Sequence, residues 1–349
     1  MLEIVKAEIL KNIDSENWET AHSLVLDAKD ELKNEEAFLV NIAELFLENG
    51  LWEFSFNIFL LIENKGQLDW NPNYRKAMIY QLGISKAHEK LKCVSRYEIA
   101  KKALGVSQIE PFENKRFLFV SGMPRSGTTA FGDLLNIVDD MKLFVELGNE
   151  FMPFSPNDFS NSVLPTLVQW SGQEKNTRIL EVSDYKVIGD KRPYFFMNLP
   201  HFFENFKSLD FKVLHIVRNI FEVAYSYQMR ANNSEDKLWG ASKGVSQCMH
   251  EINLMLRYFT SSEFIPYRNK IRFVDYSRVL SDREYFLQLI HQENLGSFDS
   301  KGNELNDFFQ SSLGRKEKTI PKDFKFIVDE LIDHKALKEF EDLIGFSVH

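Results

Sequence analysis

A short apolar run, Phe117-Leu118-Phe119-Val120-Ser121-Gly122, opens into Met123-Pro124-Arg125-Ser126-Gly127-Thr128-Thr129 and then into the helix-forming Ala130-Phe131-Gly132-Asp133-Leu134-Leu135. This stretch constrains the fold more than any other. A continuous apolar run without alternation is the pattern of a strand buried on both faces, as in parallel sheets covered by helices. The bounding glycines let backbone N–H groups curl inward, and the following helix adds its positive end. Strand, loop and helix together predict an anion site at the carboxyl end of the first strand of an α/β sheet. The hydroxyls of Ser126, Thr128 and Thr129 add donors, each charge-assisted contact contributing about 1.5–3 kcal/mol.

A nucleoside-triphosphatase loop would carry Lys where Thr128 stands, to reach the outer phosphates, with the next hydroxyl on Mg²⁺. Here the cation is Arg125, inside the loop. The site therefore suits a phosphate-like group without requiring a triphosphate or a metal. Further strands are predicted at Lys212–Val217, ending at Arg218-Asn219, and at Ile271–Tyr276, followed by a helix from Glu284 to Ile290. Strands alternating with helices indicate a parallel sheet whose ligands sit at the strand ends.

Residues 1 to about 105 have a different texture. Apolar positions recur at three- and four-residue steps, as in Leu39, Ile42, Ala43, Phe46 and Leu47, which predicts helices throughout. Asn17-Trp18-Glu19-Thr20-Ala21 is echoed 34 residues later by Leu51-Trp52-Glu53-Phe54-Ser55, with a looser third copy at Tyr97 and Ala100. That period resembles tetratricopeptide repeats. Two readings stand: a concave surface that presents a partner or substrate, or a helical cap packed on the second domain. The stretch from Ser107 to Asn114, with Pro111, marks the boundary, giving an all-α domain at 1–110 and an α/β domain at 111–349.

With 42 basic and 51 acidic residues the net charge is −9, which disfavours general nucleic-acid binding. Cys93 and Cys248 form neither a disulfide framework nor a metal-ligand pattern, and no signal peptide or membrane span is read. The expectation is a cytoplasmic protein without a metal site. The 31 Phe residues are dispersed, as in a Phe-rich core. His215 falls mid-strand and reads as a core residue. His201 has only its type to suggest a base.

At this point the chain resembles the sulfotransferases that use 3′-phosphoadenosine 5′-phosphosulfate (PAPS). Phe119 to Thr129 is similar to their 5′-phosphosulfate loop. Val217-Arg218-Asn219 with Ser226, eight residues on, is similar to their 3′-phosphate motif. The resemblance runs from Phe117 to Pro321 and is nearest to protein-tyrosine sulfotransferases and to bacterial enzymes that join tetratricopeptide repeats to a sulfotransferase domain. It implies a P-loop-like parallel sheet flanked by helices, behind the helical-repeat domain.

The resemblance also implies roles. Arg125, Ser126, Gly127, Thr128, Thr129, Arg218 and Ser226 would bind the donor, with Tyr276 beside the adenine, although the acidic pair usual after that tyrosine is missing. Ser311 to Lys318, with Arg315 and Lys316, is similar to a closing loop over the nucleotide. Gly189-Asp190-Lys191-Arg192-Pro193-Tyr194 is similar to a Lys-x-Pro segment whose lysine contacts the leaving oxygen; the weaker alternative is a solvated turn before a helix. Glu146, 21 residues beyond Arg125, stands where the family often carries its catalytic glutamate, and Glu150 is the alternative. The implied reaction moves a sulfuryl group to an acceptor hydroxyl, with Glu146 as base and Arg125 and Lys191 on the leaving group. A small molecule, glycan or peptide could supply that hydroxyl, and a homo-oligomer is open. Acceptor choice would lie in the loops from Phe151 to Thr177 and from Ala231 to Val245. A kinase-like phosphotransferase is disfavoured by the missing loop lysine, and a non-catalytic nucleotide-binding scaffold by the presence of Glu146 and Lys191.

Overall fold

A computed structural model describes residues 2–62, 68–94, 115–148, 151–173, 184–236, 239–312 and 319–349. The N-terminal part is helical: α1 (Leu2–Asp14), α2 (Trp18–Asp27), α3 (Lys29–Leu32), α4 (Glu36–Glu48), α5 (Trp52–Leu61), α6 (Pro72–Leu82) and α7 (Ile84–Lys90). The 34-residue echo is structural. Trp18 and Trp52 each open a helix, and each ring meets an aromatic 28 positions further on: Trp18 lies edge-on to Phe46 at 5.6 Å and Trp52 edge-on to Tyr80 at 5.5 Å. The small residues Ala21 and Ser55 are fully buried, as close helix approach requires. Tyr97 and Ala100, the third copy, lie outside the described residues.

Five parallel strands follow: β1 (Arg116–Gly122), β2 (Met141–Val145), β3 (Val187–Lys191), β4 (Phe211–Val217) and β5 (Ile271–Asp275), in the order β2-β3-β1-β4-β5. The flanking helices include α8 (Thr128–Leu135), α9 (Leu164–Ser171), α10 (Leu199–Phe206), α11 (Ile220–Ala231), α12 (Val245–Phe259) and α13 (Tyr276–Ser281). The boundaries of β1, β4 and β5 agree with the sequence reading to within one residue. The strands β2 and β3 were not foreseen. In β3, Gly189, Asp190 and Lys191 pair with Leu118, Phe119 and Val120 of β1, so the segment is an interior strand of the sheet and the alternative of a solvated turn falls away. Burial of its charges is possible because each has an opposite charge beside it, as the site shows below.

One sheet face packs Leu118 and Val120 against Phe131, Leu134 and Val274. The other is the phenylalanine layer: the Phe119 ring lies within 6 Å of the rings of Phe154, Phe159, Phe195, Phe202 and Phe206. This second layer is continuous with the buried residues of the helical part, including Phe59, Met78 and Ala87. The two halves therefore share a core.

Polar seams reinforce the junction. Arg75 on α6 is fully buried and donates to the carbonyls of Phe151 (2.7 Å) and Lys92 (2.9 Å) and to Nδ1 of His201 (3.0 Å). Burial, with Arg75 alongside, holds His201 down to about 4, so its ring is neutral and its Nδ1 is occupied as an acceptor in this seam. His215 is likewise a core residue, with Nδ1 at 3.1 Å from Ser121 Oγ. Glu251 on α12 is fully buried and accepts from Tyr80, from Gln247 (2.7 Å), and from Tyr194 and Tyr227 (2.8 Å each). A cavity of about 480 Å³ opens nearby between the two halves, lined by Trp52, Lys86, His250 and Arg257 among others. Among the described residues no helix is long and apolar enough to cross a membrane.

Removing residues 1–94 would strip Tyr80 from Glu251, Arg75 from His201, and the apolar cover from the phenylalanine layer. Glu251 would keep three of its four donors, whereas His201 Nδ1 and the Phe151 carbonyl would lose Arg75; a buried acceptor left without its donor costs about 1–3 kcal/mol, and the exposed apolar face adds to that. The full chain is expected to melt in a single transition and the truncated chain to be insoluble. A soluble truncation with a sharp melting transition would show that the halves fold separately.

Candidate active site

The parallel sheet delivers its polar residues to one edge. Gly122 ends β1, Glu146 follows β2, Lys191 ends β3, Arg218 follows β4 and Tyr276 follows β5. The strand order puts β1 between β3 and β4, so the loop Met123–Gly127 stands between Lys191 on one side and Arg218 on the other. Crevices of this kind are where open α/β sheets hold ligands.

The loop is tied down from within. Ser126 is buried, and its hydroxyl donates to the Met123 carbonyl at 2.6 Å, so this hydroxyl shapes the loop. Arg125 and Gly127 both take left-handed backbone, at φ 67° and 91°. At Gly127 a side chain would also displace its neighbour: a Cβ would lie 2.2 Å from the Tyr276 ring. The loop leads into α8, whose first turn presents unsatisfied N–H groups. Thr128 is buried there and Thr129 is exposed.

The two expected phosphate motifs meet. Arg125 Nε donates to Ser226 Oγ at 3.1 Å, and Arg218 donates to the Arg125 carbonyl at 3.0 Å. Arg218 also pairs with Glu222 at 2.6 Å, one helical turn on, and its guanidinium lies 4.3 Å from the Tyr276 ring centroid. Tyr276 is thus held between Gly127 and Arg218. Ser226 is buried, facing Arg125. Arg125 thus links the loop to the second motif through its Nε.

Sequence reasoning missed Arg230. It stands four residues after Ser226 on α11, the spacing that puts two side chains on one helix face, and that spacing was the available signal. Arg230 pairs with Asp236 at 2.6 Å and lies 4.5 Å from the Trp239 ring centroid. Partial burial, followed by the charges of Arg230 and Arg218, lowers Arg125 below the usual guanidinium range. Three guanidinium groups crowded together repel one another, an arrangement that an anion relieves.

On the other side of the loop, Lys191 Nζ and Glu146 Oε1 are 2.6 Å apart, with Lys191 2% exposed and Glu146 31% exposed. Room for the lysine stem comes from Gly132 on α8, where a Cβ would stand 3.2 Å from Lys191 Cγ. Glu146 has φ 53°, and its N–H donates to the Lys191 carbonyl at 2.9 Å. Behind this pair, Asp190 accepts from the Leu147 N–H at 3.2 Å and lies 3.5 Å from Arg192 Nε. Burial outweighs Arg192 and pushes Asp190 up to about 7. Arg192 donates to the Met152 carbonyl at 2.9 Å and stacks 3.8 Å from the Phe154 centroid. Glu150, Arg315 and Lys316 lie outside the described residues. Among the described residues no group of three or more His, Cys, Asp and Glu could hold a metal ion.

Solved structures similar to this chain include a sulfotransferase from Alicyclobacillus acidocaldarius (12% identity, TM-score 0.40, covering 69% of this chain and 98% of that one). A sulfotransferase from Mycobacterium tuberculosis shows 13% identity and a TM-score of 0.43 over 96% of this chain and 98% of that one. The sulfotransferase domain of the curacin biosynthetic pathway shows 13% identity and a TM-score of 0.36 over 67% of this chain and 99% of that one. No curated protein matches. The sequence model of the sulfotransferase domain matches residues 115–290, just over half of the chain and the span that carries every strand of the sheet. On that match the chain belongs to the sulfotransferase family.

Proposed function

We propose that this chain transfers the sulfuryl group of PAPS to an acceptor hydroxyl, and that residues 111–349 form the catalytic domain behind a tetratricopeptide-like domain at 1–110. The observation that carries the reading is the flanking of one anion loop by a guanidinium cluster on one side and an ion-paired lysine and glutamate on the other. A donor with phosphate groups at both the 5′ and 3′ positions needs two separate cationic sites, and ATP does not.

In this reading Arg218, Ser226 and Arg230 hold the 3′-phosphate, and the Tyr276 ring, between Gly127 and Arg218, borders the adenine. The loop amides and the hydroxyls of Thr128 and Thr129 hold the 5′-phosphate. Among the described residues the Arg125 side chain is bonded through Nε, and its terminal amino groups would serve the anion. By the resemblance, Arg315 and Lys316, outside the described residues, would add cationic contacts to the nucleotide. Glu146 takes the acceptor's proton as the acceptor oxygen forms its bond to sulfur. The bond from sulfur to the bridging phosphate oxygen breaks, and its electron pair stays on that oxygen, where Lys191 and Arg125 stabilise the growing charge. Catalysis then rests mainly on positioning and electrostatics. The acceptor is a small-molecule, glycan or peptide hydroxyl. Both cysteines are free, which suits a cytoplasmic setting.

Adenosine 3′,5′-bisphosphate is expected to raise the melting temperature and ATP at equal concentration to do little. Arg218→Ala should remove most of that preference, a loss of about 2–5 kcal/mol for truncating one partner of a charge pair. Protection by ATP equal to that by the bisphosphate would overturn the assignment of the donor.

Glu146→Gln is expected to lower kcat by about 10²–10⁴-fold while leaving bisphosphate affinity nearly unchanged, since the base acts on the acceptor. Transfer from labelled PAPS to a panel of phenols and alcohols, alongside calorimetric titration of the bisphosphate, measures both. Wild-type turnover in Glu146→Gln would move the base elsewhere, with Glu150→Gln the next variant to assay.

A further inference from the structure

Asp190 and Lys191 are consecutive on β3, so their side chains leave the strand on opposite faces. The residues they hold are also consecutive: Lys191 pairs with the Glu146 side chain, and Asp190 accepts the N–H of Leu147. The chain leaving β2 must therefore change face within one residue. It does so at Glu146, whose left-handed backbone (φ 53°) costs a residue other than glycine free energy and persists only where the surroundings enforce it.

The enforcing contacts are on both sides of the turn. Upstream, the Glu146 N–H donates to the Lys191 carbonyl at 2.9 Å. Downstream, the carboxyl of Asp190, 1% exposed, accepts from Leu147 and adjoins Arg192, which reaches the Met152 carbonyl. Arg192 thereby ties the segment after the turn to the same carboxyl.

We propose that Asp190 is a positioning residue for Glu146: by holding the Leu147 N–H and Arg192 it fixes the left-handed turn that carries the Glu146 carboxyl to Lys191. It acts through Glu146 and touches neither donor nor acceptor. The proposal rests on the reading of Glu146 as the base.

The test is a double-mutant cycle on the full chain, with Asp190→Asn and Asp190→Ala each made alone and combined with Glu146→Gln. Turnover is measured as transfer from labelled PAPS to a panel of phenols, with sulfate released to water as the lower limit. Affinity is measured by titration with adenosine 3′,5′-bisphosphate. A displacement of the base by an ångström costs up to about 100-fold. Asp190→Asn, which keeps an acceptor oxygen but not the charge facing Arg192, is expected to lower kcat about 10-fold, and Asp190→Ala about 100-fold. Bisphosphate affinity should stay within about twofold, as for any change that reaches the site only through the base.

In the Glu146→Gln background neither substitution should lower turnover further, because the group they position is already gone. The same fold-loss in both backgrounds, or bisphosphate affinity falling in step with kcat, would make Asp190 a structural residue and overturn the proposal. Should Asp190→Ala fail to fold, the near-isosteric Asp190→Asn decides alone. Undiminished turnover in Glu146→Gln, or none in the wild-type chain, overturns the functional reading itself, an outcome separate from additivity in the cycle.

Discussion

All five strands of the sheet run the same way, and the rest of the molecule depends on that direction. Parallel strands end at one edge, so every residue that follows a strand end is brought near the others whatever its distance in sequence. Glu146, Lys191, Arg218 and Tyr276 span about 130 positions and still surround one loop. The strand order then sorts them. With β1 in the centre, the lysine and glutamate fall on one flank and the guanidinium cluster on the other. Charge is separated into two sites by topology alone.

That sorting explains how charged residues are buried at the centre of the sheet. Taking charges out of water is costly unless each has a partner. Lys191 has Glu146, and Asp190 has Arg192 and a backbone N–H. The guanidinium cluster is less balanced. Glu222 and Asp236 pair with Arg218 and Arg230, while Arg125 has a hydroxyl partner and two like charges nearby. The flank that is paired throughout is suited to moving a proton. The flank with surplus positive charge is suited to binding an anion.

The sequence was legible where local chemistry speaks for itself. The loop after Phe117–Gly122, the strands with unbroken apolar runs and the 34-residue echo of Trp18 at Trp52 could all be read without coordinates. Val187–Lys191 could not, because its last three residues, Gly189, Asp190 and Lys191, are glycine or charged and its burial depends on partners at Glu146 and Arg192 that periodicity does not reveal. Arg230 was hidden differently. A lone arginine on an amphipathic helix looks like a solvated one until the fold sets it against Arg125. The bond from Arg125 to Ser226 was hidden too, since two residues 101 positions apart carry no shared pattern. What sequence missed here was pairing across elements.

The buried carboxyl of Glu251 bears on how such a chain can change over generations. The four donors named come from four separate elements: Tyr80 from the repeats, Tyr194 from the turn after β3, Tyr227 from α11 and Gln247 from α12 itself. A domain joined to its neighbour by a bare linker can be exchanged as a block, and its sequence can drift independently. Here the helical part supplies one of the four hydrogen bonds that satisfy a carboxyl buried in the other part. Repeats grafted from another protein would need a donor at the place of Tyr80, or a matching loss of the acid on α12. Two segments that resemble separate modules are in this respect bound to one another's sequence.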